Sequence, residues 1–362
     1  MGEPVQSSST LRLLSDFQEY EDTSTEKKED TEAVNNADVV AAVVNWNGAK
    51  YIRSCLDSVL NQDYPRIKTV VVDNGSTDGS VEIIKENFGS SRLVRNKTNV
   101  GYCKALNQAI NALESDFILC LNTDVKLEPD YVEKAVAIMH QFPDCGMLSG
   151  KILRLDGKTL DSAGQFIGRD RRPRERGYGG RDRGQYDARE FVFSVCGAVA
   201  FYRRKMLDQV ALDGQYFDED YFAFYEDLDL GWRAQLLGWS CIYEPGAVAY
   251  HQRGATAPAG RRVFSVLSAK QFARRSTATR YHIIKNRYMT MIKNDSPESL
   301  LADMLFILPF EALLWCYTAL SSPMLMLRLP GMTKEILASL HKRRLVQSKR
   351  TVGYDMIRKG IV

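Results

Sequence analysis

Two adjacent carboxylates, Glu226 and Asp227, are the residues best suited to chemistry in this chain. The run before them, Asp218 to Tyr225, is acidic and aromatic, and the run after them has the apolar spacing of a helix, with Leu230, Leu236 and Leu237 facing inward. The pair is therefore expected at a helix N-terminus, where the dipole favours the ionised form. An ionised carboxylate in a pocket can take a proton from an attacking hydroxyl. Three further polar clusters follow Val-rich or apolar runs: Asn45-Trp46-Asn47-Gly48, Asp73-Asn74-Gly75-Ser76-Thr77-Asp78 and Asn122-Thr123-Asp124. Asn, Asp and Gly commonly make the turns that follow strands, so one such cluster carries little. Three of them at successive strand ends suit a nucleotide: an aromatic for the base, a carboxylate for the base or ribose edge, and a second carboxylate for a metal on the diphosphate.

These clusters need a scaffold that brings strand ends together. Val39 to Asn45 is a continuous apolar run, as expected of a strand buried on both faces. Helical spacing over 49–62, a strand at Lys68 to Asp73, a helix over 78–87 capped by Asp78, a strand at Leu93 to Arg95 and a helix over 103–113 follow. A strand at Phe117 to Leu121 and a helix from Pro129 to Gln141 complete the alternation. The reading is an α/β, Rossmann-like fold: a mostly parallel central sheet with helices on both faces, binding its ligand beyond the carboxyl ends of the strands. Residues 169–189 read as a long Arg- and Gly-rich loop, Phe191 to Tyr202 as a strand, 225–237 as an amphipathic helix, and Ser240 to Tyr243 and Ala247 to His251 as short strands. Beyond about residue 255 the chain reads as helical.

The order and spacing of Val43-Val44-Asn45-Trp46-Asn47-Gly48, Val71 to Ser80, Asn99-Val100-Gly101 with Asn107, Leu121-Asn122-Thr123-Asp124, Phe217-Asp218-Glu219 and Tyr225 to Leu230 resemble family 2 glycosyltransferases of the GT-A fold. The likeness covers roughly residues 38–255, loosely onward to about 290, and is greatest to the bacterial rhamnosyltransferase branch. It implies an inverting transfer of a sugar from a dTDP-, UDP- or GDP-linked donor to a hydroxyl of a glycan or lipid-linked acceptor, in polysaccharide or glycoconjugate synthesis. It implies that Asn45, Trp46, Asn47, Asp73, Gly101 and Asn122 surround the nucleotide sugar, and that Cys196 and Gly197 lie at the sugar or acceptor pocket. Asn122-Thr123-Asp124 stands where the family has D-x-D, with Asn in place of the first Asp. The likeness then makes Asp124 and His251 ligands of Mg²⁺ or Mn²⁺, Asp227 the general base and Glu226 a residue that orients the acceptor or its loop.

The chain has 362 residues, 44% hydrophobic and 26% charged, a globular profile. Residues 1–37 hold nine acids and three basic residues and read as a disordered acidic tail; 38–255 read as the catalytic domain, and 256–362 as a helical region. Seven cysteines sit singly, without a C-x-x-C pair, which fits reduced thiols in the cytoplasm rather than a disulfide framework or zinc ribbon. Residues 169–183 contain seven Arg and three acids, read as a mobile loop over the site rather than a nucleic-acid surface. The apolar segment 304–327, interrupted by Glu311 and by Pro309 and Pro323, is open to three readings: an in-plane or re-entrant membrane segment, a true span, or a helical hairpin packed on the catalytic domain; the expectation is peripheral attachment to the cytoplasmic face of a membrane. Its basic flank, Lys342, Arg343, Arg344, Lys349 and Arg350, is expected against anionic headgroups. The competing readings are a nucleotidyltransferase, for which the Gly-rich basic signature near the first strand is lacking, and a non-catalytic nucleotide-sugar or membrane-binding protein, against which the intact acidic pair speaks.

Overall fold

The computed structural model describes residues 36–253, 272 and 275–362; the acidic tail expected over 1–37 lies almost wholly outside them. The Val-rich run forms β1 (Val39–Asn45), buried along its whole length because both sheet faces are covered. β2 (Ile67–Asp73) pairs parallel with one edge of β1, and β4 (Phe117–Asn122) pairs parallel with the other. β3 (Arg92–Arg95) continues the parallel half beyond β2. The connecting helices are α1 (Ile52–Leu60), α2 (Ser80–Asn87), α3 (Tyr102–Ile110) and α4 (Tyr131–Gln141).

The second half of the sheet is mixed. β5 (Val125–Leu127) precedes β6 (Cys145–Arg154), and β7 (Leu160–Ser162) folds back on β6. β8 (Gln165–Ile167) and β9 (Pro173–Glu175) form a separate hairpin. β10 (Glu190–Phe191), β11 (Val199–Arg203) and β12 (Ser240–His251) complete the sheet, whose order is β10-β12-β6-β11-β4-β1-β2-β3. α5 (Arg204–Val210) and α6 (Glu226–Leu236) pack on it. One core layer joins Ile52, Leu56, Tyr131 and Val136 to one sheet face; another joins Leu106, Leu207, Leu230 and Ala234 to the opposite face.

The sequence reading needs two corrections here. The strand expected from Phe191 to Tyr202 is two strands: β10 pairs antiparallel with β12, and β11 inserts antiparallel between β4 and β6. The intervening residues leave the sheet, and Ser194 and Gly197 among them hydrogen-bond to Asp227 of α6. The ten-residue β6 was missed, since its Gly146, Gly150 and Lys151 dilute the apolar pattern. Gly146 and Gly150 are there for packing: a Cβ at Gly150 would lie 2.2 Å from the Ala247 carbonyl oxygen.

The C-terminal region is helical among the described residues: α7 (Thr277–Asn294), α8 (Pro297–Ala302), α9 (Met304–Ser321), α10 (Pro323–Met326), α11 (Leu329–Lys349) and α12 (Tyr354–Lys359). The Arg-rich segment is its joint with the sheet domain and not a mobile loop. Arg171 is buried, with Nε 2.5 Å from Asp295 and Nη1 2.8 Å from Asp303. Arg287 of α7 donates to the Arg171 and Asp170 carbonyls and pairs at 2.6 Å with Glu311. A buried guanidinium requires such partners, which is why the Arg and Asp residues occur together. Three of the five basic flank residues are also spent internally: Lys342 pairs with Asp218 (2.5 Å) and Asp220 (2.6 Å), Arg343 donates to the Ile292 and Asp295 carbonyls, and Lys349 to those of Gln209 and Ala211.

Candidate active site

The register of the sheet sets Asn45 beside Asp73 and Val44 beside Asn122, so the three polar clusters leave the sheet at one edge. β11 runs the other way, which brings the residues before it, Cys196 to Ala198, to the same edge; Ala198 accepts from the Asn122 N–H at 3.0 Å. β12 ends there as well, with His251 opposite Val125 of β5.

The first two clusters are tied to each other. The buried Asn45 amide donates to Asp73 Oδ1 (2.9 Å), Ser80 Oγ (2.8 Å) and Ser76 Oγ (3.1 Å). Asn47, at φ +52°, accepts from the Thr77 N–H at 2.9 Å. Asn45 and Asn47 thus shape the loop after β2, whereas Trp46 between them is 58% exposed and offers its ring outward. Asp78 does not cap α2 directly, since Gly79 is the cap; it accepts from the Ser80 and Ala49 N–H groups instead. Asn74, in the same motif, clamps the Asn96–Gly101 loop by four hydrogen bonds.

Gly101 is required by packing. Its φ is +95°, and a Cβ there would lie 2.8 Å from Phe222 Cδ2 and 3.0 Å from the Phe222 carbonyl oxygen. That carbonyl accepts from the Tyr102 N–H at the start of α3. Asn107, one turn further, binds both the N–H and C=O of Phe217. The acidic segment is therefore stitched to α3. Its path is strained: Phe222, Phe224 and Tyr225 all have positive φ, a costly conformation for bulky residues. The Asn286 amide of α7 lies within hydrogen-bonding distance of the Tyr221, Ala223 and Phe224 carbonyls (2.7 to 2.9 Å) and holds this path.

The strained segment delivers Glu226 and Asp227 to the first turn of α6. Asp227 Oδ2 accepts from the Gly197 N–H (2.9 Å) and the Gln165 amide (3.2 Å), and Oδ1 from the Leu228 N–H (2.8 Å). Gly197 is glycine because a Cβ there would lie 3.0 Å from Asp227 Oδ2; it makes room for a carboxylate of the protein itself. Cys196 is buried beside it, its thiol pKa raised by burial and then by Glu175. Burial raises the pKa of both carboxyls. Glu226, with the charge of Asp227 added, is pushed up to about 8, and its Oε2 is buried without a hydrogen-bond partner. Against that burial Asp227 has three N–H donors, which favour its ionised form.

Asp124 and His251 meet, with Nε2 3.3 Å from Oδ1. His251 Nδ1 lies 2.8 Å from the buried Asp161, which also takes Arg253 at 2.5 Å. Burial works against the charged imidazole, but hydrogen bonds to Asp124 and Asp161 outweigh it and raise the His251 pKa. Among the described residues, no group of three or more His, Cys, Asp or Glu side chains is disposed to hold a metal ion alone. Asp124 with His251 nevertheless fits Mg²⁺ or Mn²⁺, which keep most positions for water and phosphate oxygen. A carboxylate behind the imidazole is the usual support of a ligating His. Sequence reasoning missed Asp161, Gln165 and Glu175, which lie on three-residue strands too short to show periodicity, and Asn286, whose helix gave no sign of reaching the site.

This architecture occurs in GalNAc-T7 solved with UDP, GalNAc and Mn²⁺, which superposes with a TM-score of 0.52 at 13% identity over 71% of this chain and 48% of that one. The sequence model of the family described as Glycosyl transferase family 2 matches residues 40–211, so the chain carries a domain of that family, with the GT-A fold. It is similar to the N-acetylglucosaminyl-diphospho-decaprenol L-rhamnosyltransferase of Mycobacterium tuberculosis, 27% identical over 60% of this chain and 76% of the relative. It is also similar to the chondroitin synthase of Pasteurella multocida, 38% identical over 24% of this chain and 9% of that protein. Its activity is glycosyl transfer in glycan synthesis.

Proposed function

We propose that the chain is an inverting transferase in which Asp227 is the base for the acceptor hydroxyl. The observation that carries this is the contrast within the acidic pair: Asp227 holds three N–H donors, while Glu226 is pushed up to about 8. The acceptor oxygen bonds to the anomeric carbon as Asp227 takes its proton. The bond from that carbon to the donor phosphate breaks on the opposite side, and the nucleoside diphosphate leaves with the electron pair. One displacement inverts the configuration. Protonated Glu226 can donate a hydrogen bond to the acceptor or to a donor oxygen. Asp124 and His251 would hold a Mg²⁺ or Mn²⁺ ion, which supplies Lewis-acid stabilisation of the diphosphate. Asn45, Asn47 and Asp73 position the nucleotide loop, and Trp46 offers a stacking face for the base.

The mycobacterial relative's name supports a rhamnosyl donor and a diphospho-prenol acceptor. An exposed apolar surface supports such an acceptor. Most of the exposed large apolar side chains among the described residues lie between 301 and 340, including Leu305 (85% exposed) and Leu320 (86%). Glu311, in the middle of α9, is held by Arg287 and Tyr288, so α9 lies on the domain with its other face outward. This supports in-plane attachment to a bilayer rather than a span. The reading is tested by incubating dTDP-rhamnose, UDP-GlcNAc and GDP-mannose with a prenyl-diphosphate acceptor and Mn²⁺, and determining the anomeric configuration of the product by NMR. A product of inverted configuration is expected; retention, or no transfer from any donor, would refute it.

A further inference from the structure

Behind the base lies a third carboxyl. Glu175, the last residue of β9, accepts from the Gln165 amide at 3.1 Å and from the Ser162 hydroxyl. The same Gln165 nitrogen reaches Asp227 Oδ2 at 3.2 Å. Gln165 is buried, and its own Oε1 has no partner, so nothing but the two carboxylates fixes this side chain's amide. The β8–β9 hairpin is separate from the main sheet, and its connection is locked by the Arg171 joint to α7 and α8. The amide bridge is thus built on rigid elements.

We infer that Glu175 is a positioning residue for the base: through Gln165 it holds Asp227 Oδ2 in place, leaving Oδ1 for the acceptor proton, and its charge makes Asp227 more basic. The inference rests on the assignment of Asp227 as base. The chemistry is electrostatic, and no proton passes through the amide. When Glu175 is ionised, a second negative charge near Asp227 disfavours the loss of a proton from that carboxyl to solvent and favours its uptake from the acceptor. When Glu175 is protonated, the pull is lost. Burial, with the charge of Asp227, pushes Glu175 up to about 7, so it changes charge near neutral pH. The other titratable groups facing this pair are Glu226, Arg253, Cys196, Tyr102, Tyr202 and Asp161. Glu226 titrates higher, Arg253 keeps its charge, and burial first of all holds the thiol and both phenols protonated. Asp161 is held ionised by His251 and Arg253 against its burial. Glu175 thus switches its charge near neutrality, and the Glu175 variants below separate its effect from those of Glu226 and of His251 beyond Asp161.

The test needs no substrate. The protein is labelled with ¹³C at aspartate Cγ, and the Asp227 resonance is assigned by its loss in Asp227→Asn. In the wild type this resonance should show an inflection near pH 7 as Glu175 titrates. The inflection should vanish in Glu175→Gln, which keeps the hydrogen bond, and persist in Glu175→Asp, which keeps the charge. In a transfer assay the wild-type kcat/KM should rise about threefold across that inflection through the greater basicity of Asp227, and Glu175→Gln should lack the rise. A merely structural role would lower the rate evenly and leave the inflection in place. An identical Asp227 titration in wild type and Glu175→Gln, with Asp227→Asn inactive, overturns the inference alone. An active Asp227→Asn enzyme removes the base assignment and the inference with it.

Discussion

Replacing Glu226 by Gln should stabilise the protein, and more so as the pH rises. The isolated carboxyl titrates at 4.5, whereas in the fold burial and the Asp227 charge push it up to about 8. Between those values the folded chain keeps a proton that the unfolded chain has released. Stability therefore falls as pH rises through this window and levels off above the folded value. Carried through at about 1.4 kcal/mol per unit, the full shift amounts to roughly 5 kcal/mol. Local relaxation and water entry absorb part of it, so about 2 kcal/mol is expected at pH 9. Glutamine keeps the shape and removes the titration. Wild type and Glu226→Gln should melt within a degree or so of each other near pH 4.5. At pH 9 the variant should melt higher by roughly 3 °C for a chain of this size. Thermal melts across that range are the assay. A constant difference at all pH values, or a wild type that gains on the variant as pH rises, would show that Glu226 is not held protonated by the fold.

Other perturbations read different parts of the structure. Arg171→Met leaves Asp295 and Asp303 buried without their main partner, and urea midpoints should report a loss of about 3–5 kcal/mol; an unchanged midpoint would mean that the joint is not closed in solution. Asp161→Asn should lower Mn²⁺ affinity about 10- to 100-fold by withdrawing the support of His251, read by Mn²⁺-dependent thermal shift with nucleoside diphosphate present. Asn286→Ala frees three carbonyls of the strained Tyr221–Phe224 path, so transfer should fall at least tenfold while the circular dichroism spectrum is kept. An Asn286→Ala enzyme of normal rate would show that the path holds itself.

The parallel half of the fold was legible because its strands are apolar and unbroken. Val39–Asn45 and Ile67–Asp73 are buried on both faces, and their polar ends stand out against that background. The acidic pair was legible for the same reason, as two carboxylates opening an amphipathic helix. The mixed half was not. β6 carries two glycines whose purpose is close packing against Ala247, Tyr131 and Met206, a contact that one sequence cannot show. The Arg-rich stretch looked like a solvated loop because the counter-ions of Arg171, Asp295 and Asp303, lie more than a hundred residues away. The site's supporting residues were hidden likewise: Asp161, Gln165 and Glu175 sit on short strands, and their roles depend on His251 and Asp227 arriving from elsewhere. The groups that approach Gly101 and Gly197 belong to the protein itself, Phe222 and Asp227, which one sequence cannot show.

The most direct test of the account separates binding from turnover at Asp227. Nucleoside diphosphate affinity by calorimetry with Mn²⁺, and transfer rate with the donor found active, would be measured for wild type and Asp227→Asn. The account predicts an affinity within about threefold of wild type and a transfer rate lower by about 10²-fold or more, the scale of a lost general base. An Asp227→Asn enzyme that binds normally and turns over near the wild-type rate would contradict it.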